Sequence, residues 1–279
     1  MTTPPDHSGI TVIKLGGSTL GAPTRVGNDT SLRDIADARR EGHRIVVVHG
    51  GGATISAWLE RTGVPARFVR GLRVTDEAAL DVVVAVLAGV VNKQIVAELA
   101  ALGAPAIGLS GADGMILQAR RYDDELGYVG KIHRVNPHPI NELLQLGHLP
   151  VIAPIAIEVD AAGGGPTTSA QDAQLLNTNA DTAAGEIAAA LRAERLIFLT
   201  DVEGVLDARK RLIPRLTVDE ARALIESGTA TAGMIPKLEA AITAASGACS
   251  TRIVDGTAAH AVGRALSNST DSAGSVVSR

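Results

Sequence analysis

Short apolar runs and amphipathic stretches alternate along this chain. Ile45–Val48 is a run of four β-branched residues that stops in His49-Gly50-Gly51-Gly52, with a helical pattern from Thr54 to Arg61 behind it. Such a run predicts a strand buried on both faces, as in a parallel sheet. Ile10–Leu15 is a second run of this kind, and it too ends in glycines, Gly16 and Gly17. Thr30–Glu41 reads as a helix ended by Gly42. Ala66–Thr75 (ARFVRGLRVT) reads as a hairpin or lid. Thr75-Asp76-Glu77 then caps a long helix to about Leu102, whose apolar residues cover nearly every face and predict burial in a core or against a partner.

Further strands are predicted at Ala106–Gly111, Leu149–Ile157, Arg195–Asp201 and Arg252–Gly256. Met115–Arg121 and Tyr128–Val135 form a polar-tipped hairpin, Ile140–Leu146 a short helix, and helices open at Leu176–Ala184 and Ala232–Leu238. Ala161–Ala170 (AAGGGPTTSA) reads as a surface loop and the seam between two lobes. The Ser-rich tail from Ser267 is expected to fray. Strands alternating with helices predict an α/β fold with a largely parallel sheet.

Composition narrows the picture. At 279 residues with 46% hydrophobic positions the chain can bury a sizeable core, and with aromatics at 2% that core must be Val, Ile, Leu and Ala. A net charge of −4, without a basic run that could act as a nucleic-acid footprint, speaks against a nucleic-acid partner. The lone Cys249 excludes an internal disulfide and a cysteine metal site. Met1–Gly9 has no apolar signal region, and the longest apolar run, Val82–Val91, is too short to span a bilayer. A soluble, cytoplasmic protein with no membrane partner is expected.

The candidate chemistry gathers at strand ends. A strand that stops in glycines and opens a helix offers backbone N–H groups to an anion, with the helix dipole favouring negative charge. The spacing is neither GxGxxG nor GxxxxGK[ST], so a dinucleotide or Walker-type site is weakly supported. Lys14, inside an apolar strand, points at the same anion or snorkels from an edge strand. Arg73 suits a bidentate grip on a carboxylate, or is a solvated hairpin residue. Asn177, Asn179 and Asp181 exceed what one helix cap requires. Ligands of parallel sheets bind beyond the strands' carboxyl ends, where the glycines, Lys14, His49 and Asp201 all fall.

Six stretches in order, IKLGGS, VVVHGGG, RGLRVTD, NTNAD, LTDVEGVL and AGMIPK, resemble the amino acid kinase family over Ile10–Gly256. The likeness is greatest to its branch that phosphorylates N-acetyl-L-glutamate in the second step of arginine biosynthesis. The resemblance implies an αβα sandwich on a central, mostly parallel sheet. An acyl-amino-acid lobe would cover about 10–160, an ATP lobe about 176–256, and a tail 257–279. Lys14 and Lys237 match the lysines that steady the transferring phosphoryl group, and Asp181 the aspartate that orients them. Gly16, Gly17, Gly51 and Gly52 match glycines whose N–H groups face phosphate or substrate, and Arg73 and Asn177 match residues that hold the substrate's α-carboxylate and α-amide side. Asp201, Gly204, Val205, Leu206, Gly233 and Met234 fall where the nucleotide lies. ATP enters as MgATP, with no dedicated protein site for the Mg2+.

The chain departs from the family pattern at Ala232, at Pro236 and in the inserted Ala161–Ala170. The resemblance also implies a homodimer paired through the long helix. Met1–Gly9, with Pro4 and Pro5, leaves no room for the N-terminal helix that interlaces arginine-inhibited members into hexamers, so an arginine-insensitive dimer is expected. The resemblance also admits a PII-type regulator as a partner. Two alternatives remain: a relative acting on carrier-protein-linked aminoadipate or glutamate, and a catalytically silent amino-acid-binding regulator. The intact Lys14, Lys237 and Asp181 argue against the second.

Overall fold

Strands rich in Val, Ile and Leu must be covered on both faces, and two layers of helices do this here. The computed structural model describes residues 9–16, 30–160, 173–231, 233–267 and 274–279. Expectations placed on residues 1–8, Gly17, Ala161–Ala170 and Ala232 lie outside the described residues. In chain order come β1 (Ile10–Leu15), α1 (Ser31–Arg40), β2 (Arg44–His49), α2 (Gly52–Thr62), β3 (Phe68–Val69) and β4 (Leu72–Arg73). Next, α3 (Glu77–Val84) passes through a π-helical stretch, Ala85–Val91, into α4 (Asn92–Ala101). Then follow β5 (Ala106–Ser110), β6 (Leu117–Arg121), β7 (Gly130–Val135), α5 (His138–Gln145), β8 (Leu149–Ala153), β9 (Ile155–Glu158) and β10 (Leu175–Asn177). The last third holds α6 (Ala180–Ala190), β11 (Arg195–Thr200), β12 (Arg215–Thr217), α7 (Val218–Glu226), α8 (Ile235–Ala245), β13 (Ser250–Asp255), α9 (Ala261–Leu266) and β14 (Ser275–Ser278).

The main sheet has the order β12-β14-β13-β11-β1-β2-β8-β5 and is parallel except that β14 runs antiparallel to β13. Alternation along the strands sorts side chains into two cores. Val12, Val46, Val48, Ile152, Leu196 and Phe198 face α5, α6 and α8. Ile13, Ile45, Val47, Val151 and Ile197 face α1, α2, α9 and the long helix. This is the αβα sandwich expected. A smaller sheet, β10-β9-β6-β7, contains the expected β6–β7 hairpin, and β3 pairs with β4 as the lid hairpin.

Three elements differ from the sequence reading. The strand expected over Leu149–Ile157 is two strands, because Pro154 cannot donate to a ladder: β8 stays in the main sheet and β9 joins the smaller one. The long helix is capped by Asp76, which accepts from the Ala79 N–H, but it is π-helical over Ala85–Val91. At 25 residues, Glu77–Ala101 is long and apolar enough to cross a membrane, as the core helix of a globular protein also can be. Here Val83, Val86, Leu87, Val91, Ile95 and Leu99 pack into the core.

The third difference corrects the frayed tail. Beyond Gly256, α9 packs into the second core, and β14 inserts between β12 and β13 with Val277 fully buried. Residues 268–273 lie outside the described residues. Ser275 is the reason a serine suits β14: its Oγ accepts the Val205 N–H at 2.8 Å and donates to the Ile213 carbonyl at 2.6 Å. Gly204, at φ +154°, makes room, since a Cβ there would lie 2.6 Å from the same Oγ. Ser275→Ala leaves a buried N–H and a carbonyl short of a partner, and is expected to cost ~2 kcal/mol of stability. Urea unfolding checks this; a variant as stable as the parent would mean that β14 is not integrated as described.

Candidate active site

Lys14 follows the parity of Val12 on β1, so it faces the core that α6 and α8 cover, flanked in register by Val48 and Phe198. A lysine in that place needs an anion. It finds one: Lys14 Nζ lies 2.7 Å from Asp181 Oδ1. Asp181 Oδ2 in turn accepts from Lys237 Nζ at 3.0 Å, and Lys237 also donates to the Gly233 carbonyl at 3.1 Å. Burial by itself would raise the Asp181 pKa. The two ammonium groups outweigh it by charge and hydrogen bonding, and hold the carboxyl below its usual range.

Close helix packing brings these side chains together. Asp181 stands in the first turn of α6 and Lys237 in the first turn of α8. The two helices touch at Gly185, where a Cβ would lie 2.7 Å from the Ala240 carbonyl oxygen. The stretch Asn177–Asp181 divides its work. Asn179 is the cap, accepting from the N–H groups of Asp181 and Thr182 at 2.9 and 3.0 Å. Asn177 donates to Thr75 Oγ1 at 3.1 Å.

Two clefts flank the Lys14–Asp181–Lys237 chain, one lined by Lys14 and Asp181 and the other by Lys237. The first, of about 490 Å3, is lined by Lys14, Gly51, Gly52, Arg73, Asn177 and Asp181 among others. Gly51 and Gly52 sit at the N-terminus of α2, where the first N–H groups have no partner within the helix. The Arg73 guanidinium lies over the Phe68 ring, 4.6 Å from its centroid, and its Nη2 donates to Ser56 Oγ at 2.8 Å and the Gly52 carbonyl at 3.1 Å. Its Nη1 is buried with no hydrogen-bond partner among the described residues. Burial lowers the Arg73 pKa from its usual value, and the group still stays charged. A charged donor left in that state calls for an anionic ligand.

The second cleft, of about 650 Å3, is lined by Asp201, Gly204, Val205, Leu206, Gly233, Met234 and Lys237. It lies within the usual size range of a ligand pocket. Lys210 also lines it, a residue that sequence reasoning passed over; the basic ARKR cluster was its only signal. Ser56 and Phe68, which hold Arg73, were missed as well, and no spacing rule marks them.

Two expected residues do not behave as read. The Gly16 N–H extends the sheet ladder to the Leu199 carbonyl at 3.1 Å, so it is not the free donor expected of it. His49 lies at a strand end but follows the parity of Val47, so its side chain turns to the opposite core and lines neither cleft. It is fully buried, and burial above all lowers its pKa to about 4, so it is neutral at pH 7. The Cys249 thiol is buried and pushed up to about 12, which removes it as a nucleophile at neutral pH.

Known proteins share this arrangement of chain and fold. An acetylglutamate kinase of Dehalococcoides mccartyi strain BAV1 is 43% identical over 95% of this chain and 93% of its own length. A solved structure from Streptococcus mutans UA159 superposes with a TM-score of 0.76 at 28% identity, covering 96% of this chain and 98% of that one. An N-acetylglutamate synthase from Neisseria gonorrhoeae, solved with coenzyme A and N-acetyl-glutamate, has a TM-score of 0.80 at 23% identity. This chain spans 97% of itself but only 59% of that synthase, a likeness of fold. The model of the amino acid kinase family matches residues 9–255, and the chain belongs to that family.

Proposed function

We propose that this chain is an ATP-dependent carboxylate kinase that phosphorylates the side-chain carboxylate of N-acetyl-L-glutamate. The observation that carries the reading is the Lys14–Asp181–Lys237 chain, flanked by one cleft at Lys14 and Asp181 and by the other at Lys237. Relatives called acetylglutamate kinase, 43–46% identical over most of the chain, support the substrate. Their name points to arginine biosynthesis as the setting, and a cytoplasmic location belongs to the same proposal.

The chemistry follows from charge. A carboxylate oxygen bonds to the γ-phosphorus while the bond to the β,γ-bridging oxygen breaks, and that electron pair leaves with ADP. The nucleophile is already ionised at neutral pH, so no general base is needed. The difficulty is that two anions must approach, which positioning and fixed positive charge resolve. Lys14 and Lys237 supply that charge, and Asp181 holds both ammonium groups at fixed positions against their mutual repulsion. Arg73, which lines the first cleft, takes the α-carboxylate, and Asn177 the α-amide side. The second cleft receives the nucleotide, with Lys210 available to its phosphates. Mg2+ would come with the triphosphate, which supplies charge neutralisation there. Among the described residues no cluster of three or more His, Cys, Asp or Glu could hold a metal ion.

The homodimer belongs to the same reading. Ala85, Gly89 and Val90 are exposed on the outer side of the long helix, an apolar strip suited to isologous pairing across a two-fold axis.

Three results are expected. Hydroxylamine trapping with MgATP yields hydroxamate from N-acetyl-L-glutamate well above that from glutamate, aspartate or N-acetylaspartate; equal yield from free glutamate overturns the substrate assignment. Lys14→Ala, Lys237→Ala and Asp181→Ala each lower kcat ~100-fold or more, whereas Arg73→Ala mainly raises KM for the acyl amino acid. A Lys14→Ala enzyme with nearly normal kcat contradicts the electrostatic role. Light scattering after size exclusion gives twice the 28.6 kDa chain mass, and Val90→Glu returns the monomer; a monomeric parent removes the dimer.

A further inference from the structure

His49 touches neither cleft, yet its imidazole is held by a built polar network in an otherwise apolar layer. Its Nδ1 lies 2.9 Å from the Gly50 carbonyl oxygen and its Nε2 lies 3.2 Å from Asn92 Nδ2. Asn92 Nδ2 also reaches the Val151 and Leu109 carbonyls at 3.0 and 3.2 Å, and Asn92 Oδ1 accepts from Lys93 Nζ at 3.0 Å. The Gly50 carbonyl can only accept, so the neutral ring carries its proton on Nδ1 and donates it there, which leaves Nε2 as an acceptor facing the Asn92 amide. His49 and Asn92 are both fully buried. Gly108 leaves space for the amide, because a Cβ there would lie 2.0 Å from Asn92 Oδ1.

The consequence lies in one peptide plane. In a trans peptide the carbonyl and the following N–H point in opposite directions. Fixing the Gly50 carbonyl on the buried imidazole therefore turns the Gly51 N–H the other way, toward the cleft that Gly50, Gly51 and Gly52 line. The hydrogen bond also polarises the peptide and strengthens that N–H as a donor. We infer that His49 is a positioning residue, which aims the Gly51 N–H at the anionic group in transfer, with the Asn92 amide facing its Nε2.

The π-helical stretch fits this role. Leu87 packs on the glycine turn, since a Cβ on Gly51 would lie 2.6 Å from Leu87 Cδ2, and Asn92 meets His49. Residues five apart stand about 140° apart around an α-helix. In a π stretch, bonded i to i+5, they come toward one face. Ala85–Val91 thus lets one helix press on Gly51 and lock His49 together.

The inference deepens the proposed carboxylate kinase reading and rests on it. Its test is a pair of isosteres. Asn at position 49 sets its amide nitrogen near the place of Nδ1, and Gln sets its own near Nε2. His49→Gln is expected to lower kcat ~10- to 100-fold with KM for both substrates changed far less, and His49→Asn to recover most of that loss. In protein labelled with 15N-glycine, the Gly51 amide nitrogen should move upfield in His49→Gln and stay near the parent position in His49→Asn. Equal kcat losses in both variants, or a folded His49→Gln enzyme with parental kcat and an unmoved Gly51 resonance, would overturn the inference. A parent that makes no hydroxamate from N-acetyl-L-glutamate would count against the proposed function, and the Gly51 resonance would then decide the inference by itself.

Discussion

A carboxylate held between two ammonium groups is the constraint around which this molecule is arranged. Asp181 is nearly buried, and burial alone would drive its carboxyl toward the protonated form. Lys14 and Lys237, at 2.7 and 3.0 Å, reverse that outcome. Asp181 offsets the charge of Lys14 in its buried layer, and the two lysines in turn lower the Asp181 pKa. The three come from β1, α6 and α8, so the strand and both helices must be placed together before any charge is satisfied. The close contact at Gly185 against Ala240 sets the two helix N-termini side by side.

The same parity rule explains both the site and its support. Along β1 and β2, Lys14 shares a face with Val48, and His49 shares the opposite face with Leu15 and Val47. Lys14 is thereby turned to the helices that bring its counter-ion, and His49 to the long helix that brings Asn92. The glycine turn between these layers is held from behind by the imidazole, while its front lines the first cleft beside Leu87.

Much of this was legible in the sequence, for physical reasons that differ by residue. Apolar runs ending in glycine marked β1, β2 and their turns, because burial on both faces requires unbroken hydrophobicity and close backbone approach requires glycine. The crowding of polar groups in Asn177–Asp181 marked more than a cap, and the structure gives each a separate partner. Direction was not legible at His49, since the end of a strand fixes a residue's height but parity fixes its face. The tail was misread because Ser suggests exposure, whereas Ser275 is buried by the two hydrogen bonds that it makes. Gly185 and Ser56 act through contacts distant in sequence, which no local pattern encodes.

The most direct measurement is the titration of the Asp181 carboxyl carbon, followed by 13C NMR in the parent and in Lys14→Met and Lys237→Met. Two lysines acting as described hold the parent's Asp181 below the ordinary carboxylate range, and loss of either one raises its pKa. An Asp181 that titrates at or above the ordinary carboxylate value in the parent, or one that does not respond to either substitution, would contradict the charge arrangement on which the site depends.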